Sequence, residues 1–299
     1  AMSLRPARSA ATLLTVLALA LTALAAPAAA QDDGPRVVAL TPFSANLSVA
    51  LGVTPVAVGD PGTGGAALVP AARELPPLRL SHPNGPNMEL LVAKRPDIVL
   101  SSPVWRPGTP AIQRLGIEVY DDLEPQRLDD VPASVRRLAG LLGRDAEGAT
   151  IAARLQREIA AAKRGAPKRG PRVLVVLGLA RYTMALLEQS WASDILRAAG
   201  ARLVTDGIDP VTTVGEGAVV GSLSNEKVVE LDPDVIVVVP HGNAGDIPQV
   251  KQFYRDYRPW RATKAGRTGK IYVAPNDRLL QAYSDPAAQI RFARRTYLR

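Results

Sequence analysis

Few side chains in this 299-residue sequence can do chemistry, and their scarcity is informative. There are two histidines, His82 and His241, and no cysteine. The absence of cysteine excludes a disulfide framework, thiolate metal sites, a cysteine nucleophile and a lipid-bearing cysteine. Two histidines are too few for a polyhistidine metal centre. Carboxylates are plentiful, but no Gly-x-Ser-x-Gly turn, His-Glu-x-x-His helix or phosphate-binding loop accompanies them. The Gly-rich stretch from Gly59 to Gly65 lacks both the Lys-Ser/Thr pair and the dinucleotide spacing. Binding rather than catalysis is therefore expected, and aromatics, at 4% of the chain, make each Trp and Tyr a candidate for a specific role.

The formal charge is +8 at pH 7. Its cations are scattered, with small clusters at Lys163-Arg164, Lys168-Arg169 and Arg294-Arg295. They do not alternate with aromatics, so nucleic acid is not an expected partner. Arg5 and Arg8 precede an apolar run from Ala10 to Ala26, and Ala28-Ala29-Ala30 follows before Gln31. That order of positive, apolar and small residues reads as a cleavable secretory signal over residues 1–30 and predicts an exported, periplasmic protein.

The elements that must position these residues alternate. Short apolar strands (Arg36 to Leu40, Val53 to Val58, Leu78 to Leu80, Asp97 to Leu100, Ile117 to Tyr120) are separated by helical stretches, the pattern of a parallel sheet flanked by helices. This predicts an N-terminal α/β lobe over residues 35–128. Asp129 to Leu142 and Asp145 to Lys163 have helical periodicity, and a helical linker is expected over residues 129–170. The segment Gly165 to Pro171 is a boundary. The alternation restarts in a second α/β lobe over residues 171–299. The expected architecture is two Rossmann-like lobes with parallel sheets, joined by one long α-helix.

An internal echo ties the lobes together. Glu89, Pro96, Asp97 and Pro103 follow the spacing Glu-x6-Pro-Asp-x5-Pro, and Glu226, Pro233, Asp234 and Pro240 repeat it residue for residue. Each copy reads as a helix, a Pro-Asp turn and a buried strand. Ligands of such sheets gather beyond the C-terminal strand ends. The first copy delivers Val104-Trp105-Arg106 there, and the second delivers His241-Gly242-Asn243.

These residues resemble the periplasmic solute-binding proteins of ABC importers for iron complexes and cobalamin, along the chain from about Arg36 to Leu298. The similarity rests on Arg36-Val37-Val38-Ala39-Leu40-Thr41-Pro42, on Met88-Glu89 with Lys94-Arg95-Pro96-Asp97-Ile98-Val99-Leu100, and on Glu226 with Leu231-Asp232-Pro233-Asp234-Val235-Ile236. The resemblance implies a monomeric, non-enzymatic receptor with no cofactor of its own, which hands its ligand to a membrane permease and its ATPase. It implies that Glu89 and Glu226 dock into arginine pockets of the permease, one from each lobe. A sensor subunit and an exported hydrolase are the competing classes.

Ser81-His82-Pro83-Asn84-Gly85-Pro86-Asn87-Met88-Glu89 and Pro240-His241-Gly242-Asn243-Ala244 look most like heme receptors of that family. The resemblance places His241 as axial ligand of heme iron, with Asn84 where those receptors carry Met. Arg106 and Arg181 are then the candidate propionate partners, and Trp105, Tyr182, Trp191 and Tyr283 the candidate walls. A ferric siderophore would use the same Arg and Tyr residues without protein ligation of iron, and cobalamin ranks third. His82 and Met88 are read as structural, and Trp260 as a packing anchor beyond the cleft.

Overall fold

The computed structural model describes residues 34–299 apart from 63, 64, 66, 180–182, 212–218, 242–244, 246, 256, 276–278, 281, 283 and 284. The predicted signal segment, Arg181, Tyr182 and Tyr283 lie outside the described residues. Gly34–Arg299 form one compact unit.

The first half of the chain runs β1 (Val37–Ala39), α1 (Pro42–Ala50), β2 (Ala57–Asp60), α2 (Pro70–Arg73), β3 (Pro77–Ser81), β4 (Gly85–Pro86), α3 (Met88–Ala93) and β5 (Ile98–Leu100). A 3-10 turn (Pro103–Gly108), α4 (Thr109–Gln113) and β6 (Glu118–Tyr120) complete it. Its six strands lie in the order β4-β3-β2-β1-β5-β6. All neighbours are parallel except β3 and β4. The ladder begins later than the apolar run from Val53 suggests. Pro55 has no N–H to donate, and pairing starts where the Val56 N–H reaches the Val37 carbonyl at 2.8 Å.

Two helices follow, α5 (Val131–Leu141) and α6 (Asp145–Arg164). At the helical rise of 1.5 Å per residue, α6 is roughly 30 Å long. Its buried residues Gly148, Ala152, Leu155, Ile159 and Ala162 recur at intervals of four and three, one stripe of the helix. Gly148 is required where α5 and α6 touch, because a Cβ there would lie 2.2 Å from the Ala139 Cβ.

The second half comprises β7 (Arg172–Gly178), β8 (Thr183–Leu186), α7 (Trp191–Ala199), β9 (Arg202–Leu203), β10 (Pro210–Val211), β11 (Val220–Ser222), α8 (Asn225–Leu231) and β12 (Val235–Pro240). It ends with α9 (Ile247–Arg255), α10 (Lys264–Arg267), β13 (Ile271–Val273) and α11 (Pro286–Tyr297). The strand order is β10-β11-β8-β7-β12-β13, with β9 also on β7. Strands β7, β12 and β13 are parallel, whereas β8 and β11 run antiparallel to their neighbours. This sheet is therefore mixed rather than purely parallel. The link from Gly178 to Thr183 is too short for a crossover, which takes a dozen residues or more, so the chain must return antiparallel.

Alternation sorts the strand residues onto two faces. Val173, Val175, Val235 and Val237 share one core with Val37, Ile98, Leu100, the stripe of α6, and Trp191 and Ile290 of α7 and α11. Leu174, Val176, Ile236 and Val238 face a second core with Tyr254 and Trp260. Val38, Leu40 and Val99 face a third with Trp105. The first core is continuous from one sheet through α5 and α6 to the other.

The sequence echo is matched in three dimensions. Asn87 and Ser224 cap α3 and α8 by accepting the N–H groups of Leu90 and Lys227 at 3.0 and 3.1 Å. Such caps contribute about 1 kcal/mol each. Both helices end in a left-handed non-glycine residue, Arg95 (φ 48) and Asp232 (φ 36), each just before the proline. The following Asp97 and Asp234 accept the N–H groups of Arg36 and Arg172 at 2.7 and 2.8 Å, so each turn is bonded to the first strand of its own sheet.

Candidate functional site

The C-terminal strand ends place the candidate residues. In the first sheet the order of strand addition reverses between the parallel β1 and β5, the point at which such sheets hold ligands. β1 ends in Thr41, which caps α1 through a reciprocal pair with Ser44: the Ser44 N–H donates to Thr41 Oγ1 at 3.2 Å and the Thr41 N–H to Ser44 Oγ at 3.3 Å. β5 ends in the buried Ser101 and Ser102, and the 3-10 turn then carries Trp105 and Arg106.

Arg106 is not a bare cation. Its Nε donates to Asp121 Oδ1 at 3.2 Å, and Asp121 Oδ2 accepts the Thr109 hydroxyl at 2.7 Å. Trp105 is 7% exposed and belongs mainly to the core. Its ring meets that of His82 edge-on, with centroids 5.9 Å apart. The β3–β4 hairpin brings His82 there by lying directly on the 3-10 turn. A Cβ on Gly108 would stand 2.0 Å from the Asn84 carbonyl oxygen, so only glycine fits. His82, read from sequence as a structural loop residue, is exposed at the strand-end edge. The signal that could have found it was its place directly after β3.

His241 follows β12 and is exposed. Its N–H donates to the Gly178 carbonyl at 2.8 Å, which extends the β7–β12 ladder to the edge. Tyr254 of α9 is buried, and its hydroxyl donates to the Leu179 carbonyl at 3.3 Å. Burial pushes that phenol well above its usual range. Gly178 is required between them, since a Cβ would lie 2.5 Å from Val238 Cγ1 and 3.0 Å from the Tyr254 ring.

The expectation that Trp191 lines the ligand is corrected. It is 5% exposed, packs in the core between α7 and α11, and donates its indole N–H to Gln289 Oε1 at 2.9 Å. Trp260 is fully buried, and its indole N–H shares the Asn225 Oδ1 acceptor with the Tyr257 hydroxyl, both at 3.1 Å. That bracket fixes the first residue of α8, beside Glu226.

Glu89 and Glu226 are both exposed, each in the first turn of its helix. Because α3 and α8 run back antiparallel to the strands that follow them, their N-termini lie toward the C-terminal strand ends. Glu226 is held below the usual carboxylate range by its own backbone N–H and by the Ser224 hydroxyl. Leu90, Val92 and Leu115 are exposed near Glu89, and Val229 is exposed on α8. Met88, Glu89, Val92, Ala93 and Leu115 line an open apolar depression.

Two α/β lobes, one long helix and polar or aromatic residues gathered at the strand ends define a ligand-binding protein of the two-lobed type. The sequence pattern of the periplasmic binding protein family matches residues 37–278, and the chain belongs to that family. It is 22% identical over 199 residues to the high-affinity heme uptake system protein IsdE of Staphylococcus aureus, a match covering 64% of this chain and 64% of that protein. The crystal structure of S. aureus IsdE with heme superposes with a TM-score of 0.72 at 19% identity, covering 89% of this chain and 99% of that one. The periplasmic heme-binding protein BhuT with two hemes gives 0.71 at 22% identity, covering 87% and 97%. The vitamin B12-binding protein BtuF of Vibrio cholerae gives 0.67 at 17% identity, covering 88% and 96%. At these identities the superpositions establish a shared fold.

Proposed function

We propose that this chain is an exported receptor that captures heme between its two lobes and delivers it to an ABC permease and its ATPase. The observation that carries the reading is the placement of the only two histidines: His82 follows β3 in one lobe, His241 follows β12 in the other. A neutral imidazole is a natural axial ligand for heme iron. His241 is the first choice for that ligand, and His82, beside Trp105, is the candidate on the opposite lobe. Arg106 and Arg181 would meet the propionates, with Tyr182 and Tyr283 completing the wall. Heme enters as cargo, so the protein needs no cofactor and turns nothing over.

The similarity to heme receptors supports this choice, and the similarity to a vitamin B12 receptor keeps the ligand class open to test. A ferric siderophore is the second reading. It draws on Arg106, whose pairing with Asp121 fixes a guanidinium at the strand-end edge for an anionic chelate. Residues 1–30 act as the export signal, and Glu89 and Glu226 dock the two lobes on the permease through charge-assisted contacts. Tryptophan fluorescence quenching by hemin, a ferric trihydroxamate and cyanocobalamin, each titrated separately, tests the ligand class. Saturation by hemin at the lowest concentration is expected; saturation by the hydroxamate alone would overturn the heme assignment in favour of the second reading.

A further inference from the structure

Between β6 and α5 the chain makes a connection, residues 121–128, that touches both lobes. At its start, Asp121 holds Arg106 and Thr109 of the candidate ligand wall, at 3.2 and 2.7 Å. At its end, Asp194 of α7 accepts the Arg127 guanidinium at 3.0 Å and the Leu128 N–H at 2.8 Å. Asp194 is 9% exposed and belongs to the second lobe. The connection thus runs from the ligand wall to a contact between lobes. Leu123 and Leu128, 1% and 2% exposed, anchor it in the continuous core.

In its middle lies Glu124. The Oε1 atom of Glu124 is buried without a hydrogen-bond partner. A buried polar atom left without a partner costs about 1–3 kcal/mol, and an ionised one more, so such groups call for an explanation. The charged groups of the connection point elsewhere: Asp121 to Arg106, Asp122 to Arg137, and Arg127 to Asp194. Lys163 of α6 is engaged by Asp129. Among the described residues, the Ser102 side chain, just beyond β5, is the one that engages the Glu124 carboxyl.

We propose that residues 121–128 are a strap coupling the ligand wall to the lobe contact at Asp194, and that Glu124 is its proton-sensitive fastening. The neutral carboxyl is seated beside Ser102 with one oxygen unpaired. The carboxylate costs far more, because no cation among the described residues pairs with it. Burial accordingly raises the Glu124 carboxyl to about 7, against an opposing hydrogen bond from Ser102. As pH rises toward that value the strap loosens, and the tie at Asp194 loosens with it. This inference does not depend on which ligand is carried.

Hydrogen exchange of the ligand-free protein tests it. The Leu128 amide reads the strap directly, because its acceptor is Asp194. After correction for intrinsic exchange, its opening in the wild type is expected to rise roughly tenfold or more between pH 5.5 and 8.5. The β7 and β12 amides, which open only with the whole fold, should stay at least tenfold more protected than Leu128 at both pH values. In Glu124→Gln, which keeps the shape and removes the charge, the Leu128 opening should stay flat across that range. A wild-type Leu128 amide that opens equally at both pH values overturns the proposal. So does a Leu128 amide as protected as those of β7 and β12 at pH 8.5, which would mark Glu124 as a determinant of global stability alone. The wild-type comparison decides even if the variant folds poorly.

Discussion

Arg36 and Arg172 hold the same post in the two lobes. Arg36 stands just before β1 and Arg172 opens β7; each gives its N–H to the aspartate of the Pro-Asp turn and sends its guanidinium to carbonyls at the end of the helix before that turn. Arg36 reaches the Lys94 and Arg95 carbonyls at 2.7 and 2.9 Å. Arg172 reaches those of Leu231 and Asp232 at 2.8 and 3.0 Å. These helix-end carbonyls have no intrahelical donors, and the arginine fork supplies them.

Replacing Arg172 with alanine should therefore cost about 2 kcal/mol in urea unfolding, since two hydrogen bonds from a charged donor are lost. Arg172→Lys should recover less than half, because an ammonium cannot reproduce the fork. Equal stability of Arg172→Lys and wild type would show that charge alone matters there.

Glu124 gives a pH dependence of defined sign. Its folded value, about 7, lies above its ordinary value of 4.5. The fold therefore favours the protonated form, and the stability it contributes is full below pH 4.5, declines through pH 7 and is flat above. The span is on the order of 3 kcal/mol at 1.36 kcal/mol per unit. Glu124→Gln should match the wild type in urea unfolding at low pH and exceed it at pH 8. A variant less stable than wild type at pH 8 would contradict this assignment.

Asp194 accepts from Arg127, Leu128 and, at 3.4 Å, Arg197. Truncation to alanine leaves a buried N–H and the guanidinium pairing unmade, a loss of roughly 2 kcal/mol. With that tie and the continuous core intact, lobe movement on ligand binding should be small. Small-angle scattering with and without hemin measures it, and a large compaction would contradict the account.

Docking and capture should separate. Glu89→Ala combined with Glu226→Ala is expected to leave hemin affinity unchanged and to abolish stimulation of the permease ATPase in reconstituted vesicles. A parallel loss of affinity would refute that division of roles.

Much of this architecture is legible in the sequence because it is periodic or repeated. The Pro-Asp echo marked both lobes, and the stripe of α6 showed as helical spacing. What escaped depends on contacts between distant residues. A lone arginine at a strand start reads as solubility until its carbonyl partners are known, although Pro35-Arg36-Val37 and Pro171-Arg172-Val173 did repeat. Trp191 could be read as a wall because nothing in its neighbourhood foretells Gln289, 98 positions away. Glu124 lies in a non-periodic connection, where burial leaves no pattern. The antiparallel return at β8 was hidden by the brevity of its strand.

The most direct test of the central claim is an absorbance titration of the protein with hemin, run beside His241→Ala and His82→Ala. The account predicts a saturable Soret shift in the wild type that His241→Ala abolishes or weakens at least tenfold. Absence of a saturable shift in the wild type would contradict it.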